Sequence, residues 1–103
     1  MATKVKKAKV QLTKFDAVDY LKNEKDIALY LDACLKEGGD DPAFMAAALG
    51  DVARARGMSG LVKKTGMTRA GLYKAFSKDG NPSFGAVLKV IRAMGLELHV
   101  SHR

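Results

Sequence analysis

The sequence predicts a small, all-helical domain that ends in one short strand, and three observations support this fold class. The chain has 103 residues, of which 48% are hydrophobic, so it suits one domain with a modest core. Capping residues and glycines recur along it at the spacing of short helices. Only residues 96–101 alternate apolar and polar side chains as a half-buried strand does.

Charge is distributed unevenly along the chain, whose net charge is +7. Residues 1–14 carry five lysines and no acid, residues 15–51 carry three lysines against nine carboxylates, and residues 52–103 carry ten Lys or Arg against two. A basic half favours a polyanion such as nucleic acid, and an acidic half favours a basic protein. We expect a flexible basic arm over 1–14 and a single domain over 15–103.

The first part of this domain, residues 15–39, is predicted to form two acidic helices. Asp16 caps a short helix, and Asn23 caps a longer one that runs to about Lys36 and ends at the following glycines. Apolar residues recur along the longer helix at helical spacing. Its predicted buried face consists of Ile27, Leu31, Cys34 and Leu35.

Four further helices are predicted within residues 41–95. Their start signals are Asp41-Pro42, Ser59, Thr68 and Ser83. Gly50 lies inside the first of them, where it costs about 1 kcal/mol relative to alanine, so we expect tight packing against a neighbour there. The last helix is predicted to bury a stripe of Phe84, Val87, Leu88, Ile91 and Met94.

The helices that start at Ser59 and Thr68 are joined by a glycine turn, as in a helix-turn-helix. The second of them would project its outer face, on which Arg69 can donate two hydrogen bonds to guanine and Thr68 can bind a phosphate. The alternative is that this face is ordinary solvated surface. For Tyr73 there is a second alternative, in which its ring folds back onto the core. The candidate DNA-binding residues are Thr68, Arg69, Ala70, Tyr73 and Lys74, with Lys63, Lys78 and Asn81 on the sugar–phosphate backbone.

The C-terminal segment suggests self-association. Leu96, Leu98 and Val100 alternate with polar residues, and one strand alone cannot satisfy its backbone groups. The simplest partner is the same segment in a second copy. A homodimer would read an inverted repeat with half-sites about one helical turn, ~34 Å, apart.

Several other classes of protein are disfavoured. Cys34 is the only cysteine, so an internal disulfide is excluded and a reducing cytoplasm is favoured. No apolar run approaches the ~20 residues that cross a bilayer. The sequence shows no nucleophile–base pair or metal-ligand spacing, so we expect no catalysis, no cofactor and no metal.

The stretch from Leu61 to Leu96 resembles the Cro-like (XRE) helix-turn-helix family. Leu61-Val62, Gly66-Met67-Thr68, Leu72 and Pro82-Ser83 match that pattern, whereas Gly60 stands where many members have a phosphate-binding Gln. Residues 14–100 are more similar to one branch, the probable addiction-module antidote proteins, often grouped with HigA-type antitoxins. The most specific pieces are "ALGDVARARGM", "GLYKAFS" and "GNPSF".

This resemblance implies a lambda-repressor-like bundle with two extra N-terminal helices. It also implies an antitoxin of a type II toxin–antitoxin module, which binds a RelE/ParE-like toxin and represses its own operon as a dimer. The acidic helices and the basic arm are both candidate toxin surfaces. A stand-alone, prophage-type regulator and an interaction module that no longer binds DNA stay open as alternatives.

Overall fold

The computed structural model describes residues 21–102, and this part of the chain forms five α-helices. The predicted arm over 1–14 and the helix predicted at Asp16 lie outside the described residues. The helical class is confirmed for the described part. The helices are α1 (Glu24–Gly38), α2 (Pro42–Arg56), α3 (Met58–Thr65), α4 (Arg69–Ala75) and α5 (Phe84–Ala93).

Of the five predicted helix starts that lie within the described residues, four are confirmed by their capping hydrogen bonds. Asn23, Asp41, Thr68 and Ser83 each accept a hydrogen bond from a backbone N–H two or three positions further on, at 2.9–3.0 Å. The cap predicted at Ser59 is wrong. Helix α3 already begins at Met58, because Gly57, at φ 105°, is both the C-cap of α2 and the N-cap of α3.

The helices pack around one core. Helix α1 packs on α2, and α3 packs on α2, α4 and α5. The guanidinium of Arg56 donates to the Glu24 carboxylate at 3.0 Å and to the Lys22 carbonyl at 3.3 Å, which ties the end of α2 to the start of α1. The largest fully buried side chains are Leu21, Ile27, Tyr30, Cys34, Val52, Leu72, Phe76 and Val90.

Two residues predicted to be buried are exposed. Leu35 is 51% exposed and Phe84 is 69% exposed. Tyr30 and Val90 fill the corresponding core space on α1 and α5, and both are fully buried. Apolar spacing identified the correct helices but assigned two surface residues to the core, because it cannot distinguish a core face from an apolar surface.

The tight packing predicted at Gly50 is confirmed. A Cβ atom at this position would collide with the carbonyl oxygen of Phe76, the residue that follows α4. The backbones of α2 and α4 therefore approach more closely here than any side chain would permit. Gly50 fixes where the end of α4 lies.

The strand predicted over residues 96–101 is not formed. Residues 96–102 contain no helix or strand, since the described part of the chain offers no second strand for a hydrogen-bonded ladder. The Leu96 N–H instead donates to the Ile91 carbonyl at 3.1 Å, and Leu96 packs against the core. Leu98 and Val100, the other predicted dimerisation residues, are 48% and 98% exposed. None of the helices described is long and apolar enough to cross a membrane.

Candidate functional site

Helices α3 and α4 are joined by a short turn that the sequence holds rigidly. Gly66 takes the left-handed conformation at φ 75°, which glycine adopts without steric cost. The buried Thr65 hydroxyl donates to the Leu61 carbonyl at 2.6 Å and accepts from the Met67 N–H at 3.1 Å. These bonds connect the last turn of α3 to the turn residues and so fix the direction in which the chain enters α4.

One side of α4 anchors it to the core, and its other side faces solvent. Leu72 and Phe76 are 0% and 2% exposed, whereas the Thr68 hydroxyl caps the helix by accepting from the Gly71 N–H. All eight predicted DNA-contacting residues are exposed: Thr68, Arg69, Ala70, Tyr73, Lys74, Lys63, Lys78 and Asn81. The outer face of α4, Thr68 to Lys74, is therefore free to meet a partner.

Arg69, at the start of this face, reaches across the turn to α3. One guanidinium nitrogen, Nη2, donates to the Ser59 hydroxyl at 2.7 Å. The partner is a neutral hydroxyl, and both side chains are exposed. Because a guanidinium has five N–H donors, this bond orients Arg69 and leaves donors for a ligand.

Two positions were predicted for Tyr73, on the outer face of α4 or folded back onto the core, and the structure places it between them. The residue is 39% exposed, and the guanidinium carbon of Arg54 on α2 lies over its ring, 5.3 Å from the ring centroid. Arg54 in turn lies 3.6 Å from an Asp51 carboxylate oxygen. A cation–π contact at an exposed site contributes about 0.5–1 kcal/mol, enough to favour one orientation of the ring.

The surroundings of the outer face are basic. Residues 50–81 contain seven Lys or Arg and two carboxylates, Asp51 and Asp79. Sequence reasoning missed two residues that orient this face, Ser59 and Arg54. Both act through contacts between helices, to which no local spacing points.

The titratable groups elsewhere in residues 21–102 do not form a second site. Burial raises the pKa of the Cys34 thiol from 9.0 to about 11, so the reactive thiolate is disfavoured at neutral pH. His99 lies at the surface, 3.2 Å from the Glu97 carboxylate. Within residues 21–102, no group of three or more His, Cys, Asp or Glu could hold a metal ion.

Comparisons with known proteins cover most of the chain. A family model described as "Probable addiction module antidote protein" matches residues 11–102. An uncharacterized protein of Haemophilus influenzae (strain Rd) is 46% identical over 90 residues, which span 87% of this chain and 91% of that protein. No solved structure matches significantly.

Proposed function

Since the chain belongs to the family of probable addiction module antidote proteins, we propose that it is an antitoxin that neutralises a RelE/ParE-like toxin and represses its own operon. The observation that carries the DNA-binding part is the exposed, Thr68-capped outer face of α4. We also propose a cytoplasmic location and no catalytic role; Cys34, the single cysteine of the sequence, is buried and so is poorly placed to act as a nucleophile.

In this proposal α3 and α4 act as a helix-turn-helix of the HigA-type, Cro-like class, and α4 enters the major groove. Arg69 lies at the N-terminal end of α4, the part of a recognition helix that contacts base edges. Its free guanidinium donors match guanine O6 and N7. The bond to Ser59 holds the side chain near the turn before DNA arrives, which lowers the entropy lost on binding.

The other exposed side chains suit the phosphate backbone. The Thr68 region presents a helix N-terminus, and the basic residues of α3, α4 and the following loop supply positive charge. These contacts position the protein without reading sequence. They are Lys63, Lys74, Lys78 and Asn81, all exposed.

We further infer that the protein binds its operator as a homodimer. One copy presents a single recognition helix of seven residues, which reads only one short half-site. Val100, apolar and 98% exposed near the C-terminus, supplies a surface for a second copy. An inverted repeat with half-sites about 34 Å apart is the expected target.

A pair of variants tests the DNA-binding role. Arg69→Ala should weaken binding to the DNA upstream of its own gene by about 1–3 kcal/mol and relax the preference at one base pair. Lys63→Ala is the matched control. It should weaken binding to all DNA sequences alike and reduce the slope of log affinity against log salt concentration by about 1. Fluorescence anisotropy on the native duplex and on single-base-pair variants measures both. Unchanged affinity of Arg69→Ala on every duplex would refute base reading by this residue.

Co-expression tests the antitoxin role. The protein encoded beside this gene should arrest growth when produced alone, and this chain should relieve the arrest and co-purify with it. Arg69→Ala should still relieve it, because neutralisation does not need operator binding. DNA binding without any toxin partner would instead favour the stand-alone regulator.

A further inference from the structure

An apolar groove lies away from the outer face of α4. It has a volume of about 280 Å³ and runs between α1, α2, α5 and the C-terminal segment. Its walls include Leu35 of α1, Met45 of α2, Phe84 of α5 and Leu98. Three of these, Leu35, Phe84 and Leu98, are 48–69% exposed, so apolar surface stays in contact with water in the isolated chain.

The size and composition of the groove fit a protein side chain. Small-molecule sites occupy about 300–1,000 Å³ and place several polar groups around the ligand. This groove lies just below that range, and among the described residues that line it Asn81 is the only polar one. Apolar grooves between helices instead accept the anchor residues of a partner segment, commonly one face of a helix.

Where Leu35 and Pro42 line it, the groove adjoins an acidic turn, which we call its rim. The chain next to Leu35 carries the exposed carboxylates Glu37, Asp40 and Asp41 at the turn from α1 to α2. The lysine among them, Lys36, pairs with Asp32 at 3.0 Å, so its charge is largely offset. Residues 21–51 as a whole contain three lysines and seven carboxylates. A partner that places an apolar anchor in the groove would therefore gain from basic residues beside it.

We propose that this groove is the docking site for the toxin, which inserts an apolar anchor flanked by basic side chains. This inference rests on the proposed antitoxin function. Charge argues against a second copy of this chain as the occupant: a two-fold contact centred on the groove would bring the acidic rims of both copies together.

Docking in the groove leaves DNA binding possible. No residue that lines the groove belongs to α4, although Asn81 and Pro82 of the following loop do line it. The toxin complex should therefore bind the operator with α4 still exposed, although the proposed phosphate contact of Asn81 would be weakened.

Two leucines of α1 provide a matched pair of variants. Leu35 and Leu29 are 51% and 56% exposed on the same helix, but only Leu35 lines the groove. Leu35→Lys should weaken toxin binding at least about tenfold, since it places a charge where an apolar anchor docks and makes the rim less negative. Leu29→Lys should bind as the wild type does, and Phe84→Ala should weaken binding from the opposite wall.

Isothermal titration of the purified toxin encoded by the adjacent gene measures these affinities, and thermal melting confirms that each variant is folded. Equal affinities of wild type, Leu35→Lys and Leu29→Lys would overturn the groove as the docking site and leave the antitoxin role intact. Failure of the wild type itself to bind would overturn both. Loss of self-association by Leu35→Lys in sedimentation, with toxin affinity unchanged, would assign the groove to a second copy and also overturn the proposal.

Discussion

Replacing Gly50 by alanine tests the contact between α2 and α4, because helix propensity and packing predict opposite signs for this change. In an open helix, alanine is more stable than glycine by about 1 kcal/mol. At Gly50, however, the added methyl group would overlap the Phe76 carbonyl oxygen and approach the Arg54 guanidinium to 3.1 Å. The Phe76 contact is with backbone, which cannot rotate away as a side chain can.

The expected change in the free energy of unfolding combines the cost of this overlap with the gain in helix propensity. Inserting a methyl group into a closely packed contact costs about 1–3 kcal/mol, and the displaced backbone places this site toward the upper end. After the propensity gain is subtracted, Gly50→Ala should lower the free energy of unfolding by about 1–2 kcal/mol. A change of 1 kcal/mol shifts Tm by about 4–8 °C in a domain of this size.

Gly60→Ala is the matched control. Gly60 lies inside α3, and a Cβ atom built on it meets nothing within 4 Å. This substitution should raise the free energy of unfolding by up to about 1 kcal/mol. Urea denaturation followed by circular dichroism measures both variants. If Gly50→Ala is as stable as the wild type or more stable, the close approach of α2 to Phe76 is not what constrains this position.

Two other predictions concern local bonds and burial. Thr68→Ala should lower the free energy of unfolding by about 1 kcal/mol through loss of the α4 cap, whereas Ser59→Ala, which removes only an exposed bond, should stay within about 0.5 kcal/mol in the same denaturation assay. Burial raises the pKa of the Cys34 thiol from 9.0 to about 11. Because the thiol ionises at a lower pH in the unfolded chain than in the folded one, the free energy of unfolding should fall between about pH 9 and 11. Cys34→Ala should remove the fall in stability that begins near pH 9. The fall above pH 10 should remain in both proteins, because burial also raises the pKa of Tyr30. Identical pH profiles would contradict the assignment.

The sequence predicted the helix starts well because most of them depend on bonds within four residues. Asn23, Asp41, Thr68 and Ser83 each bond their own first turn, so the signal is local. Ser59 failed because Gly57 starts α3 two residues earlier and leaves Ser59 inside the helix. Its hydroxyl then bonds Arg69, ten residues further on, which no local pattern reveals.

Features that depend on contacts between distant segments were predicted less well. The spacing of Leu35 and Phe84 fits a buried stripe, yet both lie on the surface. Periodicity identifies the apolar face of a helix but does not indicate whether another element packs on that face. Alternation over residues 96–101 likewise indicates a strand, but strand formation needs a neighbour that the described chain does not contain. Arg54 beneath Tyr73 depends on the packing of α2 on α4.

The brevity of α4 has a consequence for how the protein would lose the surface proposed to read DNA. Seven residues are too few to hold a helix in water, so α4 depends on the burial of Leu72 and Phe76 for its order. The recognition surface therefore has no melting transition of its own, and heat or denaturant should abolish it at the same midpoint as the core. If the protein is the repressor proposed above, a protease that captures the opened chain would remove operator affinity and core together, and degradation would end repression by each molecule in a single event.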